Sequence, residues 1–142
     1  MIVDHVAIAV RSVDVAADRL RDLLGYRRKT GKVTNTRQQV VVLFCEKLGS
    51  LDIKLIEPSE PGSPLTSFVQ KGGGLHHLCF KVPDVITACE ALSQQGARVI
   101  AQPQPGEAFD DHPIAFCHLG LGLNVELVDT DSRRNLLDDG QR

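Results

Sequence analysis

Four side chains on four alternating stretches are candidates for chemistry: His5 in "DHVAIAV", Lys54 in "DIKLIEP", His77 in "GLHHLCF" and Glu126 in "NVELVD". Successive side chains on a strand point to opposite faces. Val6, Ile8 and Val10 therefore share one face, and His5, Ala7 and Ala9 the other. By the same alternation His77 and Cys79 oppose Leu78 and Phe80, Lys54 and Asp52 oppose Ile53 and Leu55, and Glu126 and Asn124 oppose Val125 and Leu127. Two imidazoles and a carboxylate suit a divalent metal with positions left open for water or substrate. Taken singly, a strand His more often satisfies a polar neighbour and a strand Glu more often faces water. His76 falls on the apolar side at the start of its strand and is expected to satisfy a backbone group.

What turns single residues into a set is repetition. Positions 5 and 77 differ by 72, and so do positions 54 and 126, an equal offset of the kind an internal duplication leaves. The first half opens with a strand at residues 2–10. In "VDVAADRLRDLLGY" the spacing of Val15, Leu20, Leu23 and Leu24 predicts a helix, with Asp14 as N-cap and Gly25 as stop. "RQQVVVLFCEK" and "SLDIKLIEP" follow as strands joined near Gly49 and Ser50. "EPSEPGSPLTSFVQKGGG" reads as a linker holding a short helix from Ser63 and Pro64 to Gly72. The second half repeats the order: strand "LHHLCFKV", helix "DVITACEALSQQG", then strands in "ARVIAQP", "HPIAFCHLG" and "LNVELVDT". If the halves curl around a shared cleft, the four polar residues converge.

The totals exclude several classes of function. The chain has 142 residues, a formal net charge of −2, one Tyr and no Trp, which leaves neither a basic field for phosphates nor aromatic platforms for bases. Nucleic acid is not an expected partner. No apolar stretch approaches the roughly 20 residues of a membrane span, and Asp4 and His5 interrupt any signal sequence; the expectation is a cytoplasmic protein away from membranes. Cys45, Cys79, Cys89 and Cys117 lack CxxC spacing and read as buried, reduced thiols. His112 and His118 flank "PIAFC" without a partner pattern, and "QPQPGEAFDDHP" is expected at the mouth of the cleft.

At these residues the chain resembles the vicinal-oxygen-chelate (glyoxalase/bleomycin resistance) superfamily. "DHVAIAV", "LIEPSEPGSPLTSFVQKGGGLHHLCFKVPDV" and "NVELVD" are most similar to the methylmalonyl-CoA epimerase branch. The resemblance implies an α+β fold: two tandem βαβββ modules forming a curled mixed sheet around a central cleft. The modules are residues 1–57 and 75–130, with the linker at 58–74, a polar tail at 131–142 expected to fray, and one domain overall. It implies a divalent metal (Zn, Co, Ni, Mn or Fe) on His5, His77 and Glu126. The remaining ligand position of that branch, a Gln or Glu, falls on Lys54.

That departure has a physical cost. An ammonium offers no lone pair, and a unit charge about 4 Å from a dication at an effective dielectric of 20 costs roughly 8 kcal/mol. Lys54 must swing out, or Asp52 substitute for it as a ligand, or Lys54 pair with Glu126 where the metal would be. The third-strand carboxylate of the branch is also missing, its region reading Arg37, Gln38 and Gln39. The expected activity is a metal-dependent isomerase or lyase, with Glu126 and Lys54 as catalytic residues, abstracting a proton next to the carbonyl of an acyl-CoA or similar small molecule. The alternative is a metal-free small-molecule-binding or resistance protein of the same fold. A homodimer is expected in either case.

Overall fold

The computed structural model describes residues 1–141. Strand β1 (Ile2–Ala9) runs into helix α1 (Val13–Leu24), then β2 (Arg27–Arg28), β3 (Val33–Asn35), β4 (Val40–Glu46) and β5 (Asp52–Pro58). Helix α2 (Thr66–Gln70) bridges to β6 (Gly74–Lys81), α3 (Val85–Gln94), β7 (Arg98–Pro105), a 3-10 turn (Glu107–Phe109), β8 (Pro113–His118) and β9 (Asn124–Val128). The strands form one mixed sheet ordered β2-β4-β5-β1-β6-β9-β8-β7, with β3 on β4.

The sheet register repeats the 72-residue offset. Ala7 pairs with Lys54 in the parallel β1–β5 ladder, and Cys79 pairs with Glu126 in the parallel β6–β9 ladder. Phe44 lies opposite Lys54, as Phe116 lies opposite Glu126. The helices cover one side of the sheet: α1 packs Val13 and Ala17 on Leu43, Cys45 and Leu55, and α3 packs Val85, Ala88 and Cys89 on Ala115, Cys117, Val125 and Leu127. The other side carries Ala9, Val42, Phe44, Ile56, Cys79, Phe109 and Ile114. All four cysteines are free and buried.

Local details differ from the sequence expectation for identifiable reasons. Helix α1 is capped by Ser12, whose hydroxyl accepts from the Val15 amide, while Asp14 sits inside the helix and takes Arg28 and Lys32. Gly25 closes it in the left-handed conformation, φ 72°. Its buried stripe is Val13 and Ala17 with Ala16 and Leu20 alongside, so Val15, Leu23 and Leu24 face outward. The "RQQ" run belongs to the turn before β4 rather than to the strand.

Residues 133–137 of the tail are docked rather than frayed, and residue 142 lies outside the described residues. Arg133 is buried, the Arg134 amide donates to the Ala108 carbonyl, the Leu137 amide donates to the Lys29 carbonyl, and Leu136 bridges to Thr30. Arg133 is drawn inward because Asp4 at the edge of the inner cluster offers it a carboxylate at 2.5 Å. Among the described residues no helix is long and apolar enough to cross a membrane.

Candidate active site

The side chains of His5, Lys54, His77 and Glu126 meet. They stand on β1, β5, β6 and β9, which are adjacent in the order β5-β1-β6-β9. In a flat sheet the outer two of these strands would lie roughly 14 Å apart, three strand spacings. Here Lys54 Nζ donates to both Oε1 and Oε2 of Glu126 at 2.9 Å. Only strong curling brings the outer strands of the four within reach of each other, and the Ala and Cys side chains beside the histidines leave the volume for it.

Glu126 is the hub. Its Oε2 also accepts from His5 Nε2 and His77 Nε2, each at 3.0 Å. None of the four residues is more than 2% exposed. Burial pushes the Glu126 carboxyl up, but the Lys54 ammonium, His77 and the imidazole hydrogen bonds outweigh it and hold the group well below the usual carboxylate range. Burial pushes the His77 imidazole down to about 4 despite the neighbouring carboxylate, so the ring is neutral near pH 7. A neutral His77 donating from Nε2 keeps its lone pair on Nδ1. His5 faces Glu126 with Nε2 and Asp4 with Nδ1, the latter at 2.6 Å, and a carboxylate only accepts. The ring is thus held from both sides, by Asp4 at Nδ1 and Glu126 at Nε2.

Two residues outside the expected set complete the surroundings, and both come from irregularities in the β1–β6 ladder. The register skips Asp4 on β1 and His76 on β6, positions that again differ by 72. An extra residue in a ladder breaks strict alternation and re-aims a side chain. Asp4 thus reaches His5 and Arg133, and burial, which pushes its carboxyl up, is outweighed by the His5 hydrogen bond and the Arg133 charge. His76 does not satisfy a backbone group as the alternation suggested: its Nδ1–H donates to His77 Nδ1 at 2.8 Å and its ring lines the cavity.

A cavity of about 340 Å³ opens onto the cluster, lined by Lys54, His76 and His77 with Arg37, Gln38, Gln104, Phe116 and Asn124. Lys54 and His77 stand between it and Glu126, which has no exposed surface. Gln39 turns away to Glu60. Asp52 pairs with Lys29 at 2.6 Å and does not substitute for Lys54. Ile100, Ala101 and Gln104, in β7 just before the "PGEAFDDHP" segment, form part of the wall. The ring of Phe109 closes over Lys54, its centroid 5.0 Å from Nζ. Cys79 lies beside the cluster, but burial raises its thiol far above the range in which it ionises. His118 accepts from the Gly120 amide.

Residues 4–116 match the model of the Glyoxalase/Bleomycin resistance protein/Dioxygenase superfamily. The chain belongs to this superfamily. It is 33% identical over 117 residues to the ethylmalonyl-CoA/methylmalonyl-CoA epimerase of Cereibacter sphaeroides, covering 81% of this chain and 86% of that one. The methylmalonyl-CoA epimerase structure from Mycobacterium tuberculosis superposes with a TM-score of 0.80 at 31% identity, covering 89% and 86% of the two chains. A variant of the Streptomyces coelicolor methylmalonyl-CoA epimerase, in complex with 2-nitronate-propionyl-CoA, shares the fold with a TM-score of 0.82 at 24% identity, covering 93% and 99%.

The superfamily implies a divalent ion, and the cluster can be tested for one. Donor atoms of His5, His77 and Glu126 all lie within 4.8 Å of one another, the right number and type for a three-ligand site. The surroundings do not fit. Both Glu126 oxygens already face the Lys54 ammonium, which offers no lone pair. The carboxylates Glu126 and Asp4 are already met by Lys54 and Arg133. A dication here would sit beside a buried ammonium, where the repulsion of the two charges is only weakly screened.

Proposed function

We propose that the protein transfers a proton at the carbon next to the carbonyl of an acyl-CoA thioester, an isomerase of the methylmalonyl-CoA epimerase kind. The observation that carries this reading is the Lys54 ammonium, which faces the cavity while two of its three donors are held by Glu126. The third is available to a carbonyl oxygen. A preorganised cation at that oxygen stabilises the negative charge that forms as the α-proton leaves, and in a buried site the effect is large.

Glu126 is the base in this reading. Its Oε2 is fixed by two imidazoles, whereas Oε1 is held by Lys54 alone. When the ammonium turns toward a substrate carbonyl, Oε1 is released and loses part of the charge that depresses its pKa. The α C–H bond then breaks, its proton passes to Oε1, and the electron pair moves to the carbonyl oxygen beside Lys54. Return of a proton from Glu126 to the same face completes an exchange, whereas isomerisation requires a proton delivered to the opposite face of the planar enolate. The 340 Å³ cavity lies near the lower end of the roughly 300–1,000 Å³ range for ligand pockets, so it takes the acyl end and leaves the nucleotide outside. Arg37, exposed at the wall, suits an anionic group on either part.

A second reading has one observation in its favour: no Asp or Glu lines the cavity, so no second carboxylate faces the opposite side of a bound α-carbon. That arrangement suits a protein that binds and holds a small carbonyl compound. Deuterium incorporation at the α-carbon of a panel of acyl-CoA thioesters in D2O separates the two. Exchange lost in Glu126→Gln supports the isomerase; tight binding of a panel member without exchange supports the binding protein.

A further inference from the structure

We infer that Lys54 is a built-in substitute for a divalent cation, so that the protein works without a metal and its cluster becomes a metal site only when Lys54 is removed. This goes beyond the reaction proposed above, and its test needs no substrate.

Lys54 and Glu126 occupy equivalent positions of the two halves, as His5 and His77 do. Like residues at one equivalent pair give two imidazoles facing a common centre; unlike residues at the other give a cation facing an anion. The ammonium binds both oxygens of the carboxylate that joins the imidazoles, which is the contact a bound ion would make to organise the same three donors. A buried carboxylate needs such a partner.

Lys54 is held at the cluster although it borders the cavity. Its side chain is 1% exposed, and Nζ lies 5.0 Å from the Phe109 ring centroid and 6.0 Å from that of Phe44. Those rings are covered in turn by the Arg133 guanidinium, 4.7 and 4.8 Å from their centroids. A dication entering the cluster would have to displace an ammonium confined by two aromatic rings and held by two hydrogen bonds. Removing the amine while keeping the backbone and the other three side chains leaves two imidazoles, a carboxylate and the volume Lys54 had filled.

The test is Co²⁺ titration of the full-length protein, purified without chelator, followed by calorimetry and by visible absorption of the bound ion. Metal analysis of the protein as purified accompanies it. The wild type is expected to carry far less than one ion per chain and to develop no absorption from ligand-bound Co²⁺. Lys54→Gln is expected to bind one Co²⁺ per chain at least about a hundredfold more tightly than the wild type, because a like charge has been removed from beside the ion. That binding should disappear in Lys54→Gln/His77→Ala. Stoichiometric metal in the wild type, lost on His77→Ala, overturns the inference. So does a folded Lys54→Gln protein that takes no metal, since Lys54 would then replace nothing. If Lys54→Gln does not fold, Lys54→Met, an uncharged apolar side chain near the two rings, takes its place with the same expected gain.

Discussion

Lys54 and Glu126 lie 72 residues apart in the chain and touch through both carboxylate oxygens at 2.9 Å, neither more than 1% exposed. Breaking a buried pair by removing one partner leaves an uncompensated charge, at a cost of about 3–5 kcal/mol. Glu126→Gln, which strands the Lys54 ammonium, is expected to lower the unfolding free energy by about that amount in urea titrations. Lys54→Met/Glu126→Gln should be less destabilised than the sum of its single changes, because it strands no charge.

Acid should destabilise the protein in two stages. Burial lowers His77 to about 4 from an ordinary 6.5. As pH falls below 6.5 the unfolded chain takes up a proton that the folded chain refuses, so stability declines toward pH 4 by about 3 kcal/mol. Glu126 and Asp4 act lower: their folded values are depressed, so their stabilisation is full above the ordinary carboxylate range and is lost as pH falls through the folded values. Unfolding free energies measured from pH 7 to 4 should flatten in His77→Gln.

Much of this site was legible in the sequence because strand alternation assigns a face and the equal offset assigns a partner. His5, Lys54, His77 and Glu126 follow from those two rules. His76 and Asp4 do not, since an irregular ladder cancels the alternation at each, although their own separation of 72 was a visible signal. Arg133 and Phe109 were beyond reach for another reason. They lie in segments with no strand periodicity, and their positions are fixed by long-range contacts to Asp4, Phe44 and Lys54. The spacing of Val15, Leu20, Leu23 and Leu24 gives helix α1, but not its buried face, because Val15, Leu23 and Leu24 are apolar yet exposed while Val13 and Ala17 are buried.

The docked tail gives a prediction remote from the chemistry. Truncation after residue 130 removes the Arg133–Asp4 contact, the cover over Phe44 and Phe109, and the backbone bonds of residues 134 and 137. Arg133→Ala alone leaves the Asp4 carboxylate, only 9% exposed, short of its cation and is expected to cost about 1.5–3 kcal/mol, the range for a hydrogen bond to a charged group. A shift in thermal midpoint of several degrees would show it; an unchanged midpoint would mean that the tail is only loosely attached.

The most direct test of the account is α-carbon deuterium exchange of methylmalonyl-CoA in D2O, with and without a chelator, in the wild type and in Lys54→Ala. The account predicts that the wild type exchanges at the same rate with and without chelator, and that Lys54→Ala loses about 10²–10³ of that rate, as removal of one oxyanion donor does. Exchange that stops with chelator, or that continues undiminished without Lys54, would contradict it.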